Sequence, residues 1–530
     1  MSRSTATRCK LPIGIQTFRE IREDGHYYVD KTGQVLDLIE SGKHYFLSRP
    51  RRFGKSLLLD TFKALFEGQQ ALFTGLAAET RWDWTRHHPV IRIDFGGGVL
   101  QTRSELDRRI DEILLDVQRE LGITDLPGYT SLTGRFAELI RQAHAKFGAP
   151  AVVLVDEYDK PILDNITDRD TATAMREGLR NLYSVLKGAD AHLKFVFITG
   201  VSKFSKVSLF SGLNNLTDIT LDAPYSALCG YTDEDLDTVF APELPGLDRD
   251  EIRRWYNGYN WGGTSVYNPF DVLLLFRSRE FRPYWFETGT PTFLIKLLTE
   301  RHWFTPDLAQ TVATETLLSA FDVDMIESEA LLFQAGYLTI DSVWVIPGRR
   351  EFTLKYPNKE VQASLNDSLL RTLTGGARYS ERQVSRLYRL LQAQDVSALR
   401  ELFHAFFASI PHDWYRNSPI AQYEGYWASV FYSHFAALGL DITLEDTTNH
   451  GRIDMAVMFG AAVWIFEFKV VELVPEGQAL AQIQARGYAD KYRSRSGPIH
   501  LVGVEFSKAG RNIVGFASET LPGGLTASLP

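Results

Sequence analysis

Tyr45-Phe46-Leu47-Ser48-Arg49-Pro50-Arg51-Arg52-Phe53-Gly54-Lys55-Ser56 is the stretch on which the fold of this chain turns. The apolar run Tyr45 to Leu47 predicts a buried strand. A tight basic loop follows, and Gly54-Lys55-Ser56 opens a helical run from Leu57 to Phe66. Strand, loop and helix N-terminus in that order make a phosphate cradle. Backbone N–H groups and the positive helix end face an anion, Lys55 reaches the terminal phosphates, and Ser56 can ligate Mg²⁺. The cradle pattern asks for glycine five residues before Gly54, where this chain has Arg49. The string therefore also reads as an ordinary basic turn capped by Ser56, and partners elsewhere must decide.

The strongest partner is Ala151-Val152-Val153-Leu154-Val155-Asp156-Glu157. A continuous apolar run suits a central parallel strand covered on both faces, and acids at its C-terminal end lie where open α/β sheets bind ligands. Asp156 is expected to hold Mg²⁺ through water, and Glu157 to polarise the water that attacks the γ-phosphate. A strand-to-helix turn with an N-cap gives the same ending. Leu193 to Ser202 predicts another strand, whose polar end, Thr199 or Ser202, sits where a γ-phosphate sensor belongs in the additional-strand class of P-loop NTPases. Lys203 and Lys206 either neutralise phosphate or lie in a solvated loop. Pro89 to Phe95 reads as one more strand, and Ser104 to Leu121 as a helix with Leu106, Ile110, Ile113, Leu114 and Val117 toward the core. The helix Thr173 to Leu186 leaves Arg176 and Arg180 one turn apart on a flank, as an arginine finger or as plain surface. Tyr27-Tyr28-Val29-Asp30-Lys31-Thr32 is either a wall beside a nucleotide base or a strand whose Asp30 or Thr32 caps a helix.

These pieces, with Pro12-Ile13-Gly14-Ile15, Val155-Asp156-Glu157-Tyr158-Asp159-Lys160-Pro161, Thr199-Gly200-Val201-Ser202-Lys203-Phe204 and Phe210 to Asp218, resemble the AAA-ATPase-like family of bacterial proteins that carry a C-terminal nuclease module. Arginine at the position of Arg49 is usual in that family. The resemblance covers nearly the whole chain and implies ATP and Mg²⁺ as ligands, with Arg49, Arg51, Arg52, Phe53, Gly54, Lys55, Ser56, Asp156 and Thr199 around the nucleotide.

Toward the C-terminus, Gly451 to Met458 and Ala461 to Val470 read as two strands. Alternation puts Glu467 and Lys469 on one face and Phe466 and Phe468 on the other. Paired as a hairpin, the strands let Asp454 approach Glu467. Two carboxylates and a backbone carbonyl make a hard oxygen site for Mg²⁺, and Lys469 can orient an attacking hydroxide. The set resembles the PD-(D/E)xK nuclease core. That likeness adds Glu424, on a helix from Ala421 to Leu438, as a further metal-site acid, and Gln482 and Tyr488 on the helix that follows the strands. Arg486, Lys491, Arg493 and Arg495 either contact phosphate or end a solvated helix.

Composition sets the outer limits. With 530 residues, 44% hydrophobic and 23% charged, the chain is globular and too long for one core. The polar N-terminus shows no secretory signal, no apolar run spans a bilayer, and Cys9 and Cys229 offer no disulfide framework, so a cytoplasmic location is expected. A net charge of -9 means that nucleic acid, DNA in the first instance, must be met by local basic patches. The expected fold is α/β: a P-loop NTPase domain with a parallel sheet of additional-strand type over 1–224, a helical lid over 225–290, a mainly helical connection over 291–405 and a restriction-endonuclease-like α/β domain over 406–530. The connection is expected to carry short strands at Gly336 to Ile340 and Val343 to Ile346, and the aromatic turn Trp255 to Gly263 to pack rings in the lid. No membrane partner is expected, and a homo-oligomer is open. The rival reading is a nucleotide-dependent switch whose nuclease fold only grips its partner.

Overall fold

The computed structural model describes residues 8–124, 130–203, 209–210, 213, 215–289, 311–315, 318, 328–373, 377–409, 424–448 and 451–524. Two compact units emerge: Met1–Gly289 with Thr311–Asn358 forms one, and Lys359–Pro530 is the body of the other.

The first unit is built on a five-stranded sheet: β1 (His44–Ser48), β2 (Val90–Asp94), β3 (Ala151–Asp156), β4 (Leu193–Gly200) and β5 (Thr217–Asp218). The spatial order is β2-β3-β4-β1-β5 and every pairing is parallel. The strand β4 thus stands between β1 and β3, the additional-strand arrangement expected from the sequence. Both β1 and β3 are buried along their whole length, because uninterrupted apolar runs are stable only where helices cover both faces. The helix Lys55–Phe66 leaves the end of β1, and the helix Arg103–Glu120 starts at a capping box between Thr102 and Glu105. All five apolar residues expected on the inner stripe of that second helix are buried.

After β5 come short helices, one started by a capping box at Thr232 and Asp235. Tyr256, Tyr259 and Trp261 are buried, and Phe53 of the basic loop packs edge-on against the last two, with ring centroids 4.7 and 5.5 Å away. A small antiparallel sheet follows, β6 (Thr311–Thr314), β7 (Thr339–Ile346) and β8 (Arg349–Lys355), in the order β6-β8-β7. The two short strands expected here are one strand, β7, whose register shifts between Ile340 and Ser342. Asp341 and Ser342 break the apolar pattern without breaking the ladder.

In the second unit the helices Lys359–Leu373, Ala377–Ala393, Val396–Ser409 and Glu424–Ala437 accompany a mixed sheet. Its strands are β9 (Asp441–Thr448), β10 (Gly451–Phe459), β11 (Ala462–Val471), β12 (Ile499–Ser507) and β13 (Asn512–Leu521), ordered β13-β12-β11-β10-β9. Only β11 and β12 run parallel. One face is an aromatic core in which Phe431 meets Phe466 and Phe468, and the other packs Ile453, Ile465 and Tyr488. Among the described residues no helix is long and apolar enough to cross a membrane.

Candidate active sites

The basic loop is folded by two left-handed residues, Arg52 at φ 68° and Gly54 at φ 89°. Left-handed backbone turns successive N–H groups toward one point, the geometry that grips an anion. A Cβ at Gly54 would meet nothing, so glycine is there for its conformation alone. Lys55 begins the helix and is buried, and its ammonium donates to the carbonyls of Arg49 and Pro50 at 2.9 Å each. Burial pulls the Lys55 amine below its usual range, while the Asp156 and Glu157 carboxylates work in the opposite direction.

Facing the loop is the end of β3. Burial raises the Asp156 carboxyl, opposed by a hydrogen bond from Ser56 and by the cations Lys55 and Arg92. Glu157 turns through a left-handed conformation at φ 48°, and burial raises its carboxyl as well. Gly96 allows this approach, because a Cβ there would lie 3.0 Å from Asp94 Oδ1 and 3.3 Å from Glu157 Oε2. A cavity of about 490 Å³ opens here, lined by Arg51 to Ser56 and Glu157 and also by Tyr28, Cys229, Tyr231 and Phe270. Arg52 lies over the Phe270 ring at 4.9 Å. Tyr28 thus does stand in the wall. Asp30 meanwhile holds the turn, accepting from Thr32 N at 2.8 Å and from Ala77 N at 2.7 Å.

Two expectations, on Arg49 and on Lys203, need correction. Arg49 does not contact the phosphate space. Its guanidinium is fully buried, donates to the carbonyls of Ser48 (2.8 Å), Thr220 (3.0 Å) and Tyr225 (3.1 Å), and stacks 4.1 Å above Trp261. Its burial is deep enough to bring its pKa down to about 10. Lys203 lies neither on phosphate nor in solvent but pairs with Asp218, and Arg176 and Arg180 both reach Glu177. Lys206 lies outside the described residues.

Thr199 is buried inside β4 and its hydroxyl has no partner among the described residues; it does not line the cavity. The loop after β4 is held by Asp159, which accepts from Ser202 N at 2.6 Å and Ser202 Oγ at 2.5 Å. Arg92, 3.0 Å from Asp60 and 3.7 Å from Asp156, and Trp285, whose indole N–H donates to the Arg51 carbonyl at 3.0 Å, are further supports that motif reading missed.

In the second unit, β10 and β11 pair as far as Met455 opposite Phe466, and Asp454 and Glu467 are the next residues on the two strands. Asp454 accepts from the Phe468 N–H at 2.8 Å, and burial raises its carboxyl against that bond and the Lys469 charge. Lys469 Nζ donates to Glu467 Oε1 at 3.1 Å, and Gln482 reaches the same oxygen. Gln482 rides on the helix Gln478–Ala485. Tyr488, expected on that helix, begins a separate 3-10 turn and donates to the Arg452 carbonyl at 2.7 Å, because Gly487 in the left-handed region ends the run first. Lys491 pairs with Asp446 and Arg493 with Asp490. Glu424 heads the helix Glu424–Ala437, and its side chain lies outside the described residues.

Glu505 on β12 carries no motif signal, yet it fixes the Gln482 helix. Its carboxylate accepts from Glu476 N and Gln478 N at 2.7 Å each. Burial alone would raise this carboxyl, but the backbone N–H groups of residues 476 to 479 hold it below its usual range. Among the described residues no three His, Cys, Asp or Glu side chains form a metal-holding group. The Asp454 and Glu467 carboxylates nevertheless suit Mg²⁺, which takes one or two carboxylates and keeps several waters. At the first site, the Ser56 hydroxyl bonded to Asp156 beside an N–H cradle equally suits a Mg²⁺-bound nucleoside triphosphate.

The family described as AAA-ATPase-like, predicted AAA-ATPase, matches residues 12–210. The PD-(D/E)XK nuclease superfamily matches residues 422–516. A protein of Azotobacter chroococcum mcd 1, "Uncharacterized protein in vnfD 5'region", is 64% identical over 516 residues, spanning 97% of this chain and 100% of its own length. No solved structure matches.

Proposed function

Since the chain belongs to the AAA-ATPase-like family and ends in a PD-(D/E)XK nuclease superfamily domain, we propose that it hydrolyses ATP in its first unit and cleaves nucleic-acid phosphodiester bonds in its second. The observation that carries the reading is the bond from Phe468 N–H to Asp454 at 2.8 Å, beside Glu467, with the Lys469 ammonium 3.1 Å from the Glu467 carboxylate.

At the first site Lys55 would exchange the carbonyls of Arg49 and Pro50 for the β- and γ-phosphates, and the loop N–H groups would take the remaining oxygens. Ser56 and Asp156 would hold Mg²⁺, which supplies charge neutralisation for the leaving diphosphate. Glu157, raised by burial, would accept the proton of the attacking water. At the second site Asp454 and Glu467 would hold Mg²⁺, with Lys469 beside the attacking oxygen and Gln482 fixing the Glu467 carboxylate. The nucleic acid is taken as DNA, and the protein as cytoplasmic with both cysteines reduced.

Lys55→Ala should lose binding of a fluorescent ATP analogue while leaving Mg²⁺-dependent DNA cutting measurable. Asp454→Ala should lose cutting and keep nucleotide binding. Equal cleavage by wild type and Asp454→Ala in Mg²⁺ refutes the nuclease assignment. A second reading, a nucleotide-dependent switch, is favoured by the hold of two loop carbonyls on Lys55. Tight ATP binding without phosphate release, with DNA bound but intact, would select it.

A further inference from the structure

The hairpin of β7 and β8 carries an exposed tryptophan that neither site uses. Its strands are closed by Pro347 and Gly348, the glycine left-handed at φ 86° as the tight turn requires. At the root Leu338, Ile340, Phe352 and Leu354 are buried. Beyond it burial fails on both faces: Val343, Trp344 and Val345 are 41%, 69% and 79% exposed. Successive strand residues point to opposite faces, so a sheet covered on one side would hide at least one of these three. The outer half of the ribbon therefore stands clear of the unit that carries it. Register sets Val345 beside Arg350 and Ile346 beside Arg349, and an arginine pair follows the turn. The helix before the ribbon, Ser328–Ala335, is almost entirely buried, so the ribbon is the element this sheet presents outward.

The root rests on the phosphate loop. A Cβ at Gly336 would lie 2.7 Å from Pro50 Cγ, and Tyr337 packs on Trp285, which donates to the Arg51 carbonyl. Thr339 accepts from Asn260 N at 2.6 Å, in the aromatic turn beneath the loop.

We propose that the β7–β8 hairpin is a duplex-DNA-binding arm that enters the major groove with Arg349 and Arg350 leading and Trp344 on its flank. A two-stranded ribbon fits the major groove of B-form DNA, where guanidinium groups meet phosphate and guanine edges and apolar side chains meet thymine methyls. The deep, narrow major groove of A-form RNA excludes it. From Val343 to Glu351 the ribbon carries two arginines against one glutamate, positive on a chain of net charge -9. A second copy pairing edge to edge along β7 would have to cross the register shift between Ile340 and Ser342. The arm is a site separate from the cleavage centre and rests on that reading only for its nucleic-acid substrate class. Because the root packs on Pro50 and reaches the Arg51 carbonyl through Trp285, DNA and nucleotide each alter the affinity of the other, by the same factor in both directions.

The test is binding of a short fluorescent DNA duplex by the full chain carrying Asp454→Asn, which keeps the probe intact. Adding Trp344→Ser, or Arg349→Gln with Arg350→Gln, should weaken binding about tenfold or more. The arginine pair should also flatten the dependence of log affinity on log salt by about 0.9 for each phosphate contact removed. Without DNA, Trp344→Ser should bind a fluorescent ATP analogue like its parent, and duplex RNA should compete poorly. The proposal is overturned if duplex affinity is unchanged in both variants, if the parent binds no duplex, or if Trp344→Ser converts a dimer to a monomer at unchanged DNA affinity. Failure of the cleavage reading is seen separately, in equal DNA cutting by wild type and Asp454→Asn.

Discussion

Replacing Arg49 by lysine distinguishes a phosphate contact from a structural anchor. The guanidinium donates to three carbonyls, those of its neighbour Ser48 and of Thr220 and Tyr225, at 2.8, 3.0 and 3.1 Å, and lies 4.1 Å over Trp261. Hydrogen bonds to a charged group contribute about 1.5 kcal/mol each at the low end, so losing all three in Arg49→Ala costs about 4–5 kcal/mol. An ammonium is a compact point charge that cannot span three diverging carbonyls. Arg49→Lys should therefore satisfy one of them and lose about 3 kcal/mol, even though the positive charge remains. Urea unfolding followed by tryptophan fluorescence reads the loss, and a fluorescent ATP analogue reads affinity under conditions where each variant is folded. An Arg49→Lys protein of wild-type stability with weakened nucleotide binding would refute the reasoning and return Arg49 to the phosphates.

Three further outcomes are expected. Because burial raises the Glu157 carboxyl above its ordinary 4.5, the acid limb of the ATPase kcat profile should lie above the range of a solvated glutamate; a profile flat down to pH 4.5 would contradict its role as base. Glu505→Gln keeps one acceptor where the helix start needs two, and should cost about 1.5–3 kcal/mol while lowering nuclease kcat more than it changes KM; equal loss through KM alone would mean that Gln482 is not being positioned. His434, buried among Phe403 and Phe406, is lowered from 6.5 to about 4. The unfolded chain then binds the extra proton between those values, so stability is full above pH 6.5 and falls by about 3 kcal/mol as the pH drops to 4. His434→Gln should abolish that acid loss in unfolding titrations of the second unit's transition.

What could be read from the chain alone follows a physical divide. The strands β1, β3 and β4 were legible because a parallel strand covered on both faces must be apolar throughout, and Tyr45 to Leu47, Ala151 to Val155 and Phe195 to Ile198 have no other use. Asp454, Glu467 and Lys469 were legible because a strand period of two fixes which side chains share a face. The strands β9, β12 and β13 were not: Thr443 to Thr448 is polar enough for a loop, and His500 and Glu505 interrupt β12 with groups that only its neighbours satisfy. Arg92, Asp159 and Glu505 escaped for the same reason. Each works through a partner on another element, Asp60, Ser202 and the backbone at 476–479, and no local spacing encodes that distance. Arg49 stands at the first-glycine position of the cradle pattern, which sets it beside phosphate in the sequence, whereas its neighbours in space are carbonyls and an indole.

The anchoring of the basic loop has a consequence for how the protein is made. Arg51 receives its hydrogen bond from Trp285, 234 residues further along the chain, and Pro50 is packed by Gly336. A ribosome that has delivered residue 60 has synthesised every group of the loop itself but none of the downstream residues that brace it. The nascent chain must therefore pass well beyond its middle before this loop can mature, and a truncated product ending before Trp285 would lack that brace however intact its phosphate-binding motif.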